Sequence, residues 1–224
     1  MLKTLSLLII AILPQSLKKI ILRQFFGFKI DPSAYIGFSL LRVSNLTMAE
    51  HAKIGHLNVF KGLDHVSMES HSSLGNLNWI TGFPKENKYH FSHIHNRTPT
   101  LIIGEHSAVT NRHLIDCTET FEIGKFTTFA GFKSQVLSHS IDLELNRQHA
   151  IPIKIGDYCF VGTNCILLPG SQLPDFSVLA ASSVLIANKC NEVACLYGGN
   201  PAKKIKNINI EKSEYFQRIK GFVI

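Results

Sequence analysis

From Ile155 to Leu185 an aliphatic residue returns at every sixth position: Ile155, Val161, Leu167, Leu173, Leu179 and Leu185. Two residues before each later member stands a small one: Cys159, Cys165, Ser171, Ser177 and Ser183. A period of six belongs neither to an α-helix nor to a two-sided strand. It predicts a triangular β-solenoid. Each six-residue step makes one short strand and one corner, and three steps make a coil of eighteen. The aliphatic residue points into the shaft and the small one fits where the chain turns. Successive coils then stack Ile155 under Leu173, Val161 under Leu179 and Leu167 under Leu185.

Towards the N-terminus the register continues as aliphatic-glycine pairs: Ile36-Gly37, Ile54-Gly55, Leu74-Gly75, Ile103-Gly104, Ile123-Gly124 and Ile155-Gly156. Their spacings are 18, 20, 29, 20 and 32. Residues beyond eighteen must leave the shaft, as bulged corners or as two loops at about 82–99 and 141–154. The glycines are expected at corners that need a permissive backbone. Loops on a rigid scaffold are where chemistry concentrates. The chain thus divides into a helical segment at 1–29, a solenoid at 30–190, and a cap and tail at 191–224. The stretch 211–224 has helical character and an apolar end, and is expected to pack on the solenoid or on a neighbouring subunit.

The stretch Leu5 to Leu13 is apolar but shorter than the roughly 20 residues that span a bilayer. Pro14, Gln15 and Ser16 follow it, with no small-x-small cleavage pattern. Next, Leu17, Ile20, Ile21, Gln24, Phe25 and Phe28 share a helical stripe, while Lys18, Lys19, Arg23 and Lys29 add positive charge. Such a helix either caps the open end of the solenoid or lies on an anionic membrane surface, and the two roles are compatible.

The composition, 45% hydrophobic and 17% charged over 224 residues, is that of one globular domain. A net charge of +7 suits an anionic partner: a phosphorylated cofactor, a membrane or nucleic acid. No zinc-finger spacing, helix-turn-helix or aromatic RNA platform supports nucleic acid. The five cysteines, Cys117, Cys159, Cys165, Cys190 and Cys195, have no C-x-x-C spacing. They read as reduced thiols of a cytosolic protein, with neither a metal site nor a disulfide framework.

The hexapeptide ladder, the segment LSHSIDLELNRQ, the segment IGDYCFVGTNCILLPG and the ending GGNPAKKI together resemble the left-handed β-helix acyltransferases. The nearest pattern is the galactoside and maltose O-acetyltransferase type that modifies sugars in surface polysaccharide or lipopolysaccharide synthesis. The resemblance covers about residues 30–208. It implies an all-β left-handed β-helix, a homotrimer with active sites between adjacent solenoids, acetyl-coenzyme A as co-substrate, a sugar or lipid-linked sugar as acceptor, and no metal. It implies a general-base histidine at the mouth of the protruding loop, which here is His139. A sugar hydroxyl must lose its proton as it attacks a thioester, and imidazole is largely a free base at neutral pH. Asp142 or Glu144 would orient the ring, or each is a solvated loop charge.

By position in the motif, Phe160, Gly162 and Thr163 match pantetheine-wall residues, Ala181 and Ser182 the contact from the next coil, and Lys203 and Lys204 the phosphate-binding basic residues. Gly162 and Ala181 also satisfy the repeat, and Lys203 is equally an ordinary exposed charge. Ile186-Ala187 departs from the family's usual Thr-Lys, which unsettles the adenine contacts. The acceptor is expected at the loop 82–99 and the face carrying Asn111, His113 and Asp116. Trp79 either stacks on a sugar ring or serves a core or interface. Three other readings stay open: N-acetylation of an amino sugar, a γ-carbonic-anhydrase-like metalloenzyme, and a non-catalytic membrane-surface solenoid.

Overall fold

A strand of two or three residues cannot satisfy its own backbone, so each coil must hydrogen-bond to the coil above and the coil below. The computed structural model describes residues 2–87, 89–221 and 223 and shows this arrangement as a left-handed parallel β-helix. Its three faces hold seven, nine and seven strands. Face A runs from Lys29–Ile30 to Gln172–Leu173, face B from Tyr35–Ile36 to Lys203–Asn207, and face C from Leu40–Arg42 to Val184–Leu185.

The stacking expected from the ladder is present: Ile155 pairs with Leu173, Val161 with Leu179 and Leu167 with Leu185. These six side chains are buried, as are Cys159, Cys165, Ser171, Ser177 and Ser183. Three inward columns form the core. Face A contributes Met48, Met68, Ile103, Ile123, Ile155 and Leu173, face B Ile36, Ile54, Leu74, Val109, Phe129 and Val161, and face C Leu41, Phe60, Ile80, Ile115, Val136 and Leu167.

In the N-terminal half the structure corrects the register. Ile36, Ile54 and Leu74 stack on face B, whereas Ile103, Ile123 and Ile155 stack on face A. Leu74 pairs with Val109, and Ile103 with Met68. The aliphatic-glycine signature changes face across the first insertion, so one series of pairs had joined two columns.

The glycines also serve a different purpose from the one expected. None of the six has a positive φ. A Cβ on Gly37 would lie 2.3 Å from the Gly55 carbonyl oxygen, and one on Gly104 would lie 2.6 Å from Gly124. These glycines let adjacent coils approach. The left-handed corner positions are instead held by His51, Leu57, His71, Arg112, Phe126, Tyr158 and others.

Both insertions leave from the edge where face C turns into face A. The first follows Trp79–Thr81 and rejoins at Thr100–Ile103. The second is an antiparallel hairpin of His139–Asp142 with Arg147–Ala150. The edge between faces A and B has no insertion. There His51, His71, His106, Phe126, Tyr158 and Phe176 stack in one column with ring centroids 4.6 to 5.2 Å apart. The C-terminal tail lies along this column. Phe216 meets Phe176 edge-on, the Arg218 guanidinium lies 3.9 Å from the Tyr215 ring, and the Gly221 N–H donates to His106 Nδ1 at 3.2 Å. The tail therefore packs on the solenoid through two short 3₁₀ turns, Ile210–Lys212 and Glu214–Gln217. Of its apolar end, residues 222 and 224 lie outside the described residues.

Two helices close the other end, α1 (Leu2–Ala11) and α2 (Gln15–Phe26). The first coil has no predecessor, so a row of its carbonyls lacks partners. The polar side of α2 supplies them. Lys18 Nζ donates to Ile36 and Gly37, Lys19 Nζ to Pro32 and Ala34, and Arg23 Nε to Ile30. Gln15 adds a bond to Ile36. The buried side of α2 is thus Lys18 and Leu22, and burial lowers the pKa of Lys18. Leu17, Ile20, Gln24 and Phe25 of the expected stripe face outward, and buried Phe28 follows the helix. Among the described residues no helix is long and apolar enough to cross a membrane.

Candidate active site

Three successive coils converge at the edge between faces C and A. The first supplies Phe83 just after its face-C strand, the second ends its strand Leu114–Asp116 in a carboxylate, and the third brings His139 directly over it. His139 Nδ1 lies 2.7 Å from Asp116 Oδ2. A carboxylate only accepts, so Nδ1 carries the hydrogen towards Asp116, and in the neutral ring the lone pair is on Nε2. Asp116 Oδ2 also accepts from the His139 and Ser138 N–H groups and from the Ser138 hydroxyl. Its Oδ1 accepts from the Thr118 N–H and hydroxyl. Burial raises the Asp116 pKa, but the bonds from His139, Thr118 and Ser138 outweigh it and hold the carboxyl below its ordinary range.

The histidine side chain is about one-third exposed, at 30%, and its walls are aromatic. Phe83 and Phe91 meet the ring edge-to-face, with centroids 5.6 and 5.7 Å away. Arg97, fully buried, sets that wall. It donates to the carbonyls of Phe83 at 2.6 Å, Thr118 at 2.7 Å and Pro84 at 2.7 Å, and its guanidinium lies over the Phe91 ring. Glu119 ties down the end of the same insertion by accepting from the Thr98 N–H and hydroxyl. An open groove of about 270 Å³ continues along this edge, lined by Arg42, Ser44, Lys61, Gly62 and Pro84 among others.

Asp142 does not orient His139. Its Oδ1 accepts from the N–H groups of Glu144 and Leu145 and closes the hairpin turn. Glu144 sits at the exposed tip. The orienting partner is Asp116, which the sequence placed with the acceptor face. Register is the signal that finds it, because Asp116 pairs with Leu137, two residues before the histidine.

His113 lies inside the shaft with no exposed surface, where it cannot meet a substrate. Its Nδ1 accepts from the Ser134 N–H and its Nε2 sits 3.1 Å from the Thr110 hydroxyl. Burial holds its pKa down at about 4. Asn111 accepts from the Asn76 backbone and side chain, bridging two coils at the edge between faces B and C. Trp79 is 53% exposed and continues an outward row with Val59 and Leu114 on face C.

Thr163, Ala181 and Ser182 lie together at that B–C edge, at the opposite end of the face-C strands from His139. Gly162 is buried, and a Cβ there would meet the Ala181 nitrogen at 2.7 Å. Phe160 points out from face B, edge-on to Tyr215 of the tail, whose hydroxyl donates to Cys159. Lys204 pairs with Glu192 at 2.5 Å, while Lys203 is exposed on the final antiparallel strand.

All five cysteines are free and buried. Burial pushes the Cys159 thiol up to about 12. Ser138 has no exposed surface and its hydroxyl is bound to Asp116. Neither offers a nucleophile at the site. Among the described residues no group of three or more His, Cys, Asp or Glu is placed to hold a metal.

The coil geometry has a clear counterpart among solved structures. The polysialic acid O-acetyltransferase OatWY superposes with a TM-score of 0.58, covering 80% of this chain and 84% of that one at 16% identity. The fold is that of the hexapeptide-repeat acetyltransferases. A second neighbour, the BC4754 product of Bacillus cereus, provisionally described as an acetyltransferase, gives 0.50 at 18% identity, with 86% and 84% covered. No family model matches the sequence. The Saccharomyces cerevisiae protein YJL218W, provisionally named an acetyltransferase, is 36% identical over 78 residues, which is 34% of this chain. An uncharacterized Dictyostelium discoideum protein is 29% identical over 120 residues, which is 54% of this chain. These matches span 39% and 46% of the lengths of the two relatives.

Proposed function

We propose that the protein is an acyltransferase that moves an acetyl group from acetyl-coenzyme A to a sugar hydroxyl, with His139 as general base. The observation that carries this reading is the His139–Asp116 pair beneath the Phe83–Phe91 wall. Asp116 fixes the tautomer, so Nε2 accepts the hydroxyl proton as the sugar oxygen attacks the thioester carbonyl. The tetrahedral intermediate then collapses, and the same proton passes from Nε2 to the departing sulfur. Such a base contributes roughly 10²- to 10⁴-fold, and binding both substrates in one cleft adds more. The buried state of Cys159 and Ser138 favours direct transfer over an acetyl-enzyme.

The sugar, free or lipid-linked, would enter by the groove beside Arg42 and Lys61. Thr163, Ala181 and Ser182 would line the pantetheine path, with Lys203 near the phosphates. These residues and His139 occupy different edges of one prism, so one cleft needs two chains. A homotrimer supplies that pairing, and the outward apolar row of Leu40, Val59, Trp79 and Leu114 offers a contact face. We place this activity in the cytoplasm, where the five free, buried thiols stay reduced.

Thiol release from acetyl-coenzyme A is the direct test, measured with a panel of sugars. Wild type is expected to release thiol only with an acceptor present, and His139→Ala to lose roughly 10²-fold or more in kcat. Equal release by the two proteins rejects His139 as the base, and no release with any sugar leaves a binding solenoid. Lability of the product to mild hydroxide separates an ester from an amide, and so a hydroxyl from an amino acceptor.

A further inference from the structure

The N-terminal cap satisfies the solenoid and leaves a second surface uncommitted. Its inward side is accounted for: Leu7 and Ile10 of α1 and Leu22 of α2 are buried, and Lys18, Lys19 and Arg23 hold first-coil carbonyls. Its outward side is apolar on both helices. Leu5, Leu8 and Ile9 of α1, and Ile12 just past its end, are 50–70% exposed at spacings of three, four and seven. On α2, Leu17 and Ile20 are nearly half exposed and Phe25 is 77% exposed. Large apolar side chains recurring on the solvent face of two adjoining helices mark an interaction surface rather than scattered exposure.

Charge selects the occupant. Residues 1–30 carry Lys3, Lys18, Lys19, Arg23 and Lys29 and no Asp or Glu. The bonds of Lys18, Lys19 and Arg23 go to carbonyls, and with Asp31 near Arg23 as the one acid, residues 1–31 keep a net charge of +4, five cations less one carboxylate. We propose that the outward faces of α1 and α2 dock this end of the prism on an anionic lipid bilayer. The apolar side chains enter the boundary between headgroups and acyl chains, and the net positive charge of this end, with Lys29 exposed, draws it to an anionic surface. The helices lie in the interface, being too short to cross it. A second copy would bury the same apolar side chains, but it would bring two ends of net positive charge together. Docking by the end of the prism leaves the long edges clear, including the one that holds His139. The inference stands whether or not the catalytic reading does.

The test is co-sedimentation of the full chain with vesicles of phosphatidylcholine alone and of phosphatidylcholine mixed with phosphatidylserine. Variants are Ile12→Asn combined with Leu17→Asn and Ile20→Asn, and separately Phe25→Ala. These side chains are outward-facing, so far-UV circular dichroism and melting temperature are expected to match wild type. Wild type is expected to pellet with the phosphatidylserine vesicles and to be released by high salt. The triple variant is expected to bind at least about tenfold more weakly, and Phe25→Ala severalfold more weakly. No pelleting with phosphatidylserine vesicles overturns the proposal. So does pelleting unchanged by the substitutions. If light scattering shows that the triple variant instead lowers the oligomeric state, the face joins copies of the chain and the lipid assignment is wrong.

Discussion

Two edges of the prism border face A, arise from the same repeat, and do opposite things. The edge between faces A and B keeps the repeat strictly and stacks six aromatic rings, with the tail laid over them. The edge between faces C and A breaks the repeat twice and gathers a carboxylate, an imidazole, a buried guanidinium and two phenyl rings within three coils. An unbroken corner repeats its side chain from coil to coil, so it is well suited to packing. A site needs unlike groups side by side, and stacked coils provide these only where insertions interrupt the sequence around them. On the proposed reading, stability and chemistry are carried by different edges, and substitutions should separate them.

The largest effect is expected from Asp116→Asn. The amide cannot hold the same tautomer of His139, and kcat should fall by roughly 10²-fold or more with little change in KM. Steady-state kinetics with the preferred acceptor check this, and a fall in KM of equal size would deny the orienting role. The Asp116 pKa is depressed on folding, so its contribution to stability is present above the unfolded value of 3.8 and is lost as pH falls through the lower folded one. Urea melts of wild type and Asp116→Asn should converge as the pH drops through that window.

Next comes His113, inside the shaft between the two edges. Its pKa drops from 6.5 to about 4 on folding. The unfolded chain takes up a proton below 6.5 while the folded one refuses it, so stability falls as pH falls from 6.5 towards 4. The loss approaches about 3 kcal/mol. In His113→Asn this part of the pH dependence should vanish, with KM for the acceptor unchanged in whatever protein stays folded. Urea midpoints at pH 7 and pH 4.5 give the comparison.

Tyr158 probes the aromatic edge. Its ring stacks on both Phe126 and Phe176, so Tyr158→Ala should cost about 2 kcal/mol and leave kcat untouched. Its φ is +54°, a conformation that glycine adopts without strain. Tyr158→Gly should therefore recover about 1 kcal/mol relative to alanine. A kcat that falls with either substitution would show that the two edges are coupled.

The contrast also explains what the sequence could and could not disclose. Between Ile155 and Leu185 nothing interrupts the sixfold period, and every stacking pair was readable from spacing alone. Upstream, an insertion whose length is not a multiple of the repeat lies between Leu74 and Ile103. Both residues precede glycine, yet they sit on different faces. The position of His139 at the mouth of the second insertion was legible through its motif and the residues that follow it. Asp116 was not assigned to it because the two are 23 residues apart, and only the correct register brings them into contact. Asp142 was given a site role for its closeness to His139 in the loop and His113 for its place on the expected acceptor face, whereas turn geometry gives the first to the hairpin and burial gives the second to the shaft. The cationic side of α2 was legible as charge, though its carbonyl partners were not, since carbonyls leave no mark in a sequence.

Those carbonyls also bear on how the molecule ends. A stack of parallel coils has no natural last member, and each free rim is a template on which another chain could continue the growth. Here one rim is filled by lysine and arginine side chains from α2, and at the other the strand Lys203–Asn207 turns back antiparallel on face B. The two stoppers keep a shape made for indefinite extension as a particle of fixed length. A chain started at Lys29 would lack the first of them, and its raw rim would invite fibre formation.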